Sequence, residues 1–225
     1  SGWKKKARNQ YARFSALWIF PQGVLRSQGS GKKVFMKSAN VSNRILRMAQ
    51  LAMIAAVSVV LVAFVQIPLV PAMPQLKYDM ADTPILFAAL LFGTGPSLAV
   101  LFLVSVIQAF LFGGDGWVGL LMHFVASGAM VVLVGQFYHR RHKTKDAVIG
   151  MVLATAARAA IMVPMNYIFT VHVFGTPKEI VDAAMLPGII PFNLLQAGLN
   201  CLLAGVLFKA FSPILRKNRD MIRPV

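Results

Sequence analysis

Residues 51–67 read Leu51-Ala-Met-Ile-Ala-Ala-Val-Ser-Val-Val-Leu-Val-Ala-Phe-Val-Gln-Ile67, and only Ser58 and Gln66 interrupt the apolar run. With its flanks the segment covers 45–67, about 35 Å of helix at about 1.5 Å per residue, enough to cross a hydrocarbon core of about 30 Å. Pro68, Pro71 and Pro74 end it, because proline removes a helix donor and clashes with the preceding turn. The same reading predicts further apolar spans at 84–92, 97–112, 117–138, 147–173 and 188–211. Gly93-Thr-Gly-Pro96 and Gly113-Gly-Asp-Gly116 supply tight turns between them. The 84–92 segment is too short to cross alone, so it is either tilted or begins inside the preceding loop. The expectation is an all-α membrane protein with six transmembrane helices. Composition supports it: 57% of the 225 residues are hydrophobic and 13% charged, against about 45–50% and about 25% in soluble domains. A soluble globule of this size could not cover its surface with so few charges.

The chain carries 23 Lys+Arg against 7 Asp+Glu, a net charge of +16. Such an excess often marks nucleic-acid binding, but here its placement excludes that class. Residues 1–47 are basic and contain no acid, and the other clusters are His139-Arg-Arg-His-Lys-Thr-Lys-Asp146 and the end of the chain, with Lys209, Arg216, Lys217, Arg219 and Arg223. Six crossings put all three on one side. Lys77 and Lys178 are left on the other, among Asp79, Asp82, Asp115, Glu179 and Asp182. That is a positive-inside distribution with both termini cytoplasmic; five crossings would split the basic clusters. No internal repeat is visible, which argues against a secondary transporter built from inverted repeats. The single cysteine, Cys201, allows no intrachain disulfide and reads as a small apolar filler.

The expected organisation is a basic N-terminal leader at 1–43, a membrane domain at 44–213 and a basic cytoplasmic tail at 214–225. The leader is read as a flexible tail, or as an interfacial helix displaying Trp3, Tyr11, Phe14 and Trp18. Its apolar stretch around residues 16–20 is too short for a signal peptide. Met36 opens a more ordinary start, so the functional protein is expected to begin near it; a 36–225 fragment that failed to insert or bind would sink that expectation.

Several features suggest a binding function. The outer loop Pro71-Ala-Met-Pro-Gln-Leu-Lys-Tyr-Asp-Met-Ala-Asp-Thr-Pro84 is stiffened by prolines and offers Lys77, Tyr78 and Asp79 as donor, ring and acceptor. Asp82, with Pro84 two residues on, reads as the cap of the next helix. Amides lie at membrane depth in the last two spans: Asn166, then Asn193, Gln196 and Asn200 at spacings that share one helical face. Interhelical bonding could account for them, but four amides near the outer ends of two adjacent spans point to a neutral, hydrogen-bonding ligand. Two readings of Arg158 stay open: a functional intramembrane charge, or a side chain snorkelling towards the cytoplasm. His123 reads as a hydrogen-bonded packing residue. Ala52 and Ala56 form a small-residue pair on the first span, suited either to internal packing or to docking onto another membrane subunit. No nucleophile–base pair and no metal-ligand spacing argues for an enzyme.

The residues also resemble a known family. Leu76-Lys-Tyr-Asp-Met-Ala-Asp-Thr-Pro84 leading to Leu91-Phe-Gly93 is similar to the signature of riboflavin-specific S components of energy-coupling-factor (ECF) vitamin transporters. So are Met122-His-Phe124 with Ser127-Gly128, Pro164-Met-Asn-Tyr167, Ile190-Pro-Phe-Asn-Leu-Leu-Gln-Ala-Gly198 and Ser212-Pro213. The resemblance covers about 40–215. It implies a small integral-membrane binding protein of the bacterial plasma membrane, not an enzyme, which captures riboflavin at the outer face as transported ligand and has no cofactor of its own. It implies a transmembrane T subunit and two cytoplasmic ATPases as partners, in contact with membrane lipid; with no GxxxxGK[ST] loop in this chain, ATP hydrolysis belongs to those partners. It implies ligand contacts at Leu76, Lys77, Tyr78, Asp79, Asn166 and Asn193, joined by the amides Gln196 and Asn200, and docking of the T subunit at Ala52 and Ala56. Many family members have Lys where this chain has Gln196, which keeps hydrogen bonding without the cation. The rival reading within the class is an S component for another small vitamin or a flavin derivative such as FMN.

Overall fold

The computed structural model describes residues 31–217 apart from 71, 72, 74, 75, 114 and 115. The aromatic residues of the expected leader helix and the last residues of the tail, 218–225, lie outside the described residues. The chain divides into a unit 1–42 and a unit 43–225. Within the first unit residues 31–42 are helical, the beginning of helix α1 (Gly31–Phe64), so helical backbone starts well before the leader boundary placed at residue 43.

Unit 43–225 is built of helices with one small two-stranded ribbon. After α1 come β1 (Ile67–Pro68), β2 (Lys77–Tyr78), α2 (Asp82–Phe92), α3 (Thr94–Ile107), α4 (Gly116–Arg141), α5 (Thr144–Met165), α6 (Lys178–Ala184) and α7 (Ile190–Lys217). Wider π-helical turns extend α3 over Gln108–Gly113, extend α5 over Asn166–Val171 and join α6 to α7 over Met185–Ile189. Among the described residues, five helical stretches are long and apolar enough to cross a membrane: Arg44–Phe64, Thr94–Phe112, Gly116–Arg141, Thr144–Val171 and Lys178–Ser212. The sixth expected span is α2, whose 11 residues reach only about 16 Å. Five helices of full length and one short one thus stand where six spans are expected, the short one at the segment too short to cross alone.

The loop explains how a helix so short serves. Ile67 pairs with Tyr78 and Pro68 with Lys77 in an antiparallel ribbon, which turns the chain back into the helical body. Tyr78, Asp79 and every residue from Ala81 to Leu86 are buried, so α2 begins inside the protein. Irregular backbone at such depth is stable only where protein encloses it and satisfies its polar groups. Here Asn200 of α7 does so, donating from Nδ2 to the Asp79 carbonyl at 3.1 Å and accepting from the Thr83 hydroxyl at 2.6 Å. The far end of α2 is held by Arg47, whose Nη2 donates to the Phe92 carbonyl at 2.8 Å, and by His139, whose Nε2 lies 3.0 Å from the Ala89 carbonyl. Gly93 then reverses the chain at φ 87°, in the left-handed region that favours glycine.

The core lies where α2, α3 and α4 meet, around Ile85, Leu86, Leu90, Leu101, Val104, Met130 and Val134. Alanines of α5 and α7 (Ala154, Ala197, Ala204) close it. Small residues set the α4–α5 spacing: a Cβ at Gly150 would meet the Leu133 carbonyl oxygen at 3.2 Å and the Val134 Cα at 3.3 Å. Helix α1 buries Ala55, Ser58 and Val62, while Ala52, Met53, Ala56, Val57 and Val60 are exposed. The pair Ala52 and Ala56 is therefore not spent on packing within the described unit.

Candidate ligand-binding site

The alternation of helices brings the end of α3, the start of α4, the end of α5 and the start of α7 to the end of the bundle that carries the β1–β2 loop. A cavity of about 230 Å³ opens there. The loop contributes Leu76, Lys77 and Asp79, and α3 with its π turn contributes Ser105, Gln108 and Ala109. Gly119, Met122 and His123 come from α4, Arg158 and Met162 from α5, and Phe192 and Gln196 from α7. Leu76, Met122, Met162 and Phe192 are apolar and polarizable, suited to the faces of a ring system. The remaining polar side chains can fix its edges. Such a mixture is typical of small-molecule sites.

Asp79 is the polar hub of the loop. Its Oδ1 accepts the Ala81 N–H at 3.1 Å, and its Oδ2 accepts Gln108 Nε2 at 3.2 Å and Gln196 Nε2 at 3.4 Å. One carboxylate thus ties the loop to α3 and α7 at the cavity wall. Burial pushes the Asp79 carboxyl above the ordinary carboxylate range and the charge of Asp82 adds to this, while His123, Arg158 and the Ala81 N–H pull it back. Lys77 lies exposed at the rim with Nζ 3.3 Å from Gln66 Oε1.

Beneath the loop lies a buried ion pair. Arg158 Nη1 donates to Asp82 Oδ2 at 2.6 Å and to the Ser127 hydroxyl at 2.6 Å, and Ser127 itself donates to Asp82 Oδ2 at 2.8 Å. His123 Nε2 lies 3.5 Å from Asp82 Oδ1. Asp82 and Arg158 are 2% and 4% exposed, so this is a charge pair removed from solvent. One sequence expectation is corrected, and one of the two open readings of Arg158 falls away. Asp82 does not cap α2, whose N-terminus carries no side-chain cap; its carboxylate is turned to Arg158. Arg158 does not snorkel, since its guanidinium is satisfied inside the bundle.

Among the residues expected from sequence, the structure gathers Leu76, Lys77, Asp79 and Gln196 around the cavity. Tyr78 is buried beside them, with its hydroxyl unpartnered among the described residues; burial, with the charges of Asp79 and Asp82, pushes its phenol above the usual range. Asn166 sits on the π turn of α5 and spends its amide locally, donating to the Met162 carbonyl and accepting from Thr170. Asn193 donates to the Ile189 carbonyl at 2.8 Å and lies 3.5 Å from Arg158 Nε. Asn200 is fully enclosed and holds the loop to α7 rather than lining the cavity. Sequence reasoning missed Ser105, Gln108 and the role of His123 as cavity residues. Their signal was available: Ser and Gln three residues apart interrupt the otherwise apolar 98–112, where polar groups are costly without a partner.

The model of the family of ECF transporter substrate-specific components matches residues 46–208. The riboflavin transporter RibU of Streptococcus thermophilus is 32% identical over 152 residues, covering 63% of this chain and 72% of that protein. RibU of Lactococcus lactis subsp. cremoris is 28% identical over 160 residues, 60% of this chain and 78% of that one. The riboflavin transporter FmnP of Bacillus subtilis is 23% identical over 154 residues, 64% and 81%. In fold, the chain is similar to the solved structure of the S component of a bacterial ECF transporter, with a TM-score of 0.64 at 24% identity, over 75% of this chain and 96% of that one.

Proposed function

We propose that the cavity captures riboflavin, since the chain belongs to the family of ECF transporter substrate-specific components and so is a membrane-embedded transport component and not an enzyme. The observation that carries this reading is the mixed lining under the loop, where Leu76, Met122, Met162 and Phe192 adjoin Asp79, Gln108 and Gln196. A planar flavin with a neutral, hydrogen-bonding rim and a hydroxylated chain fits such a lining, and the matched relatives are named riboflavin transporters. Paired charges leave the described wall close to neutral, which favours riboflavin over its phosphorylated form.

The basic clusters orient the loop end outward by the positive-inside rule, with both termini in the cytoplasm. Partner subunits, a transmembrane T subunit and two cytoplasmic ATPases, supply the energy for release inward. The exposed Ala52 and Ala56 on α1 form the docking face for the T subunit. Asn193 supports the site through its contact with Arg158, and Tyr78, Asn166 and Asn200 support it by holding the loop and helix ends in place. The test is to purify the protein from cells grown with riboflavin, extract the bound small molecules and identify them by chromatography. Riboflavin recovered in stoichiometric amount supports the reading; FMN alone, or a different vitamin, replaces it.

A further inference from the structure

The α3 side of the cavity holds polar atoms that the protein itself leaves unmatched. Ser105 is 1% exposed, lines the cavity, and its hydroxyl has no partner among the described residues. Gln108 spends its Nε2 on Asp79, but its Oε1 is buried with no partner. Across the cavity wall on α4, His123 Nε2 and Asp82 Oδ1 are buried and 3.5 Å apart, too far for a good hydrogen bond. Leaving buried polar groups unpaired is costly, so native proteins retain them where something else completes the bonds. The backbone points the same way. The π turn of α3 opens at Gln108, and such turns often occur at functional sites, where they re-aim a side chain.

These atoms have a common chemistry. A serine hydroxyl and a histidine nitrogen can each accept or donate, while an amide oxygen and a carboxylate oxygen accept. A partner that donates several hydrogen bonds and can also accept one, from closely spaced points, is a chain of neighbouring hydroxyls. A flavin ring offers few donors of this kind.

Resting on the riboflavin reading above, we infer that Ser105 and Gln108 of α3, facing His123 of α4, form a subsite for the polyhydroxylated chain of the ligand. The ring is then left to the loop, α5 and α7. The subsite makes the third helix a specificity element that separates flavins by their side chain.

The experiment compares riboflavin with lumiflavin, which keeps the ring and lacks the hydroxylated chain. Both are titrated into detergent-purified full-length wild type, Ser105→Ala and Gln108→Met. Loss of one hydrogen bond predicts a three- to tenfold weaker riboflavin affinity in Ser105→Ala, about 0.7–1.4 kcal/mol, with lumiflavin affinity changed less than twofold; Gln108→Met also cuts the tie to Asp79 and should weaken both flavins, riboflavin the more. Ser105→Ala removes a hydroxyl that bonds nothing in the protein, so the melting temperature of ligand-free protein should not fall. If lumiflavin binding is undetectable in the wild type, the chain is required for recognition, and the riboflavin loss at constant melting temperature decides. Equal losses for both flavins, a lowered melting temperature in Ser105→Ala, or riboflavin binding unchanged in both variants overturns the subsite and leaves the riboflavin reading standing. A wild-type protein that binds neither flavin overturns both.

Discussion

Removing Asp82 should damage this protein more than removing its partner Arg158. At 2.6 Å the two charges attract by about 6 kcal/mol at an effective dielectric of about 20. Taking each ion out of water costs several kcal/mol, so the intact pair is close to break-even. The asymmetry emerges when one partner is removed. In Asp82→Asn the Arg158 guanidinium stays buried with Ser127 and a distant Asn193 for partners, and it cannot shed its proton. That variant should lose about 3–5 kcal/mol, or roughly 6–20 °C in melting temperature at about 2–4 °C per kcal/mol. In Arg158→Met the orphan is a carboxylate, which can take up a proton or lean on His123 at 3.5 Å. Its loss should be the smaller of the two. The double variant removes both charges and should recover most of the loss, giving a coupling energy of about 2 kcal/mol or more. The assay is thermal unfolding of the four proteins in one detergent at pH 7, followed by intrinsic fluorescence. Additive losses, or an Arg158→Met variant worse than Asp82→Asn, would mean that the two groups do not act as a buried charge pair with a captive guanidinium.

The loop bracket and the proposed docking face can be tested as well. Asn200→Leu removes the bonds to the Asp79 carbonyl and Thr83 and should weaken riboflavin binding at least tenfold while lowering stability by about 1–3 kcal/mol; titration and melting on the same sample check both. Because the folded-state pKa of Asp79 is raised above its unfolded value, its contribution is fully present below the unfolded value and is lost as pH rises through the folded one. Asp79→Asn is neutral at every pH and should flatten the fall in melting temperature from acid to neutral conditions; an unchanged pH profile would remove Asp79 as the titrating group. Ala52→Leu with Ala56→Leu adds bulk on the exposed face of α1 and should spare flavin binding in detergent but impair ATP-dependent uptake in proteoliposomes with the partner subunits. Uptake at the wild-type rate would exclude that face as the docking surface.

The long helices were legible because hydropathy over about 20 residues reports directly on membrane crossing, and glycine and proline turns mark their ends. Helix α2 was legible only in part. Its short length at 84–92 suggested a start inside the loop, but a proline-rich segment reads as a surface connector. Only tertiary contacts from Asn200, Gln108 and Gln196 show that residues 78–81 turn back into the bundle. Asp82 was misread for a local reason: an acid two residues before a proline, at the start of an apolar run, has the pattern of a helix cap, and local pattern carries no information about Arg158, 76 positions away. Two opposite charges isolated in apolar segments were the available clue. Of the candidate site, the loop residues and Gln196 were legible because a motif and a helical face expose them. Ser105 and Gln108 were not, since a Ser and a Gln in a span are as readily explained by helix–helix bonding until a cavity is seen beside them.

A quenching titration of detergent-purified, folded protein with riboflavin, repeated on Gln196→Leu, reads directly whether this cavity holds riboflavin. A flavin held in this cavity should bind saturably at one per chain with sub-micromolar affinity, weakened about tenfold or more in the variant, which loses both a cavity amide and the tie to Asp79. Absence of saturable binding in folded wild-type protein, or binding that Gln196→Leu leaves unchanged, would contradict it.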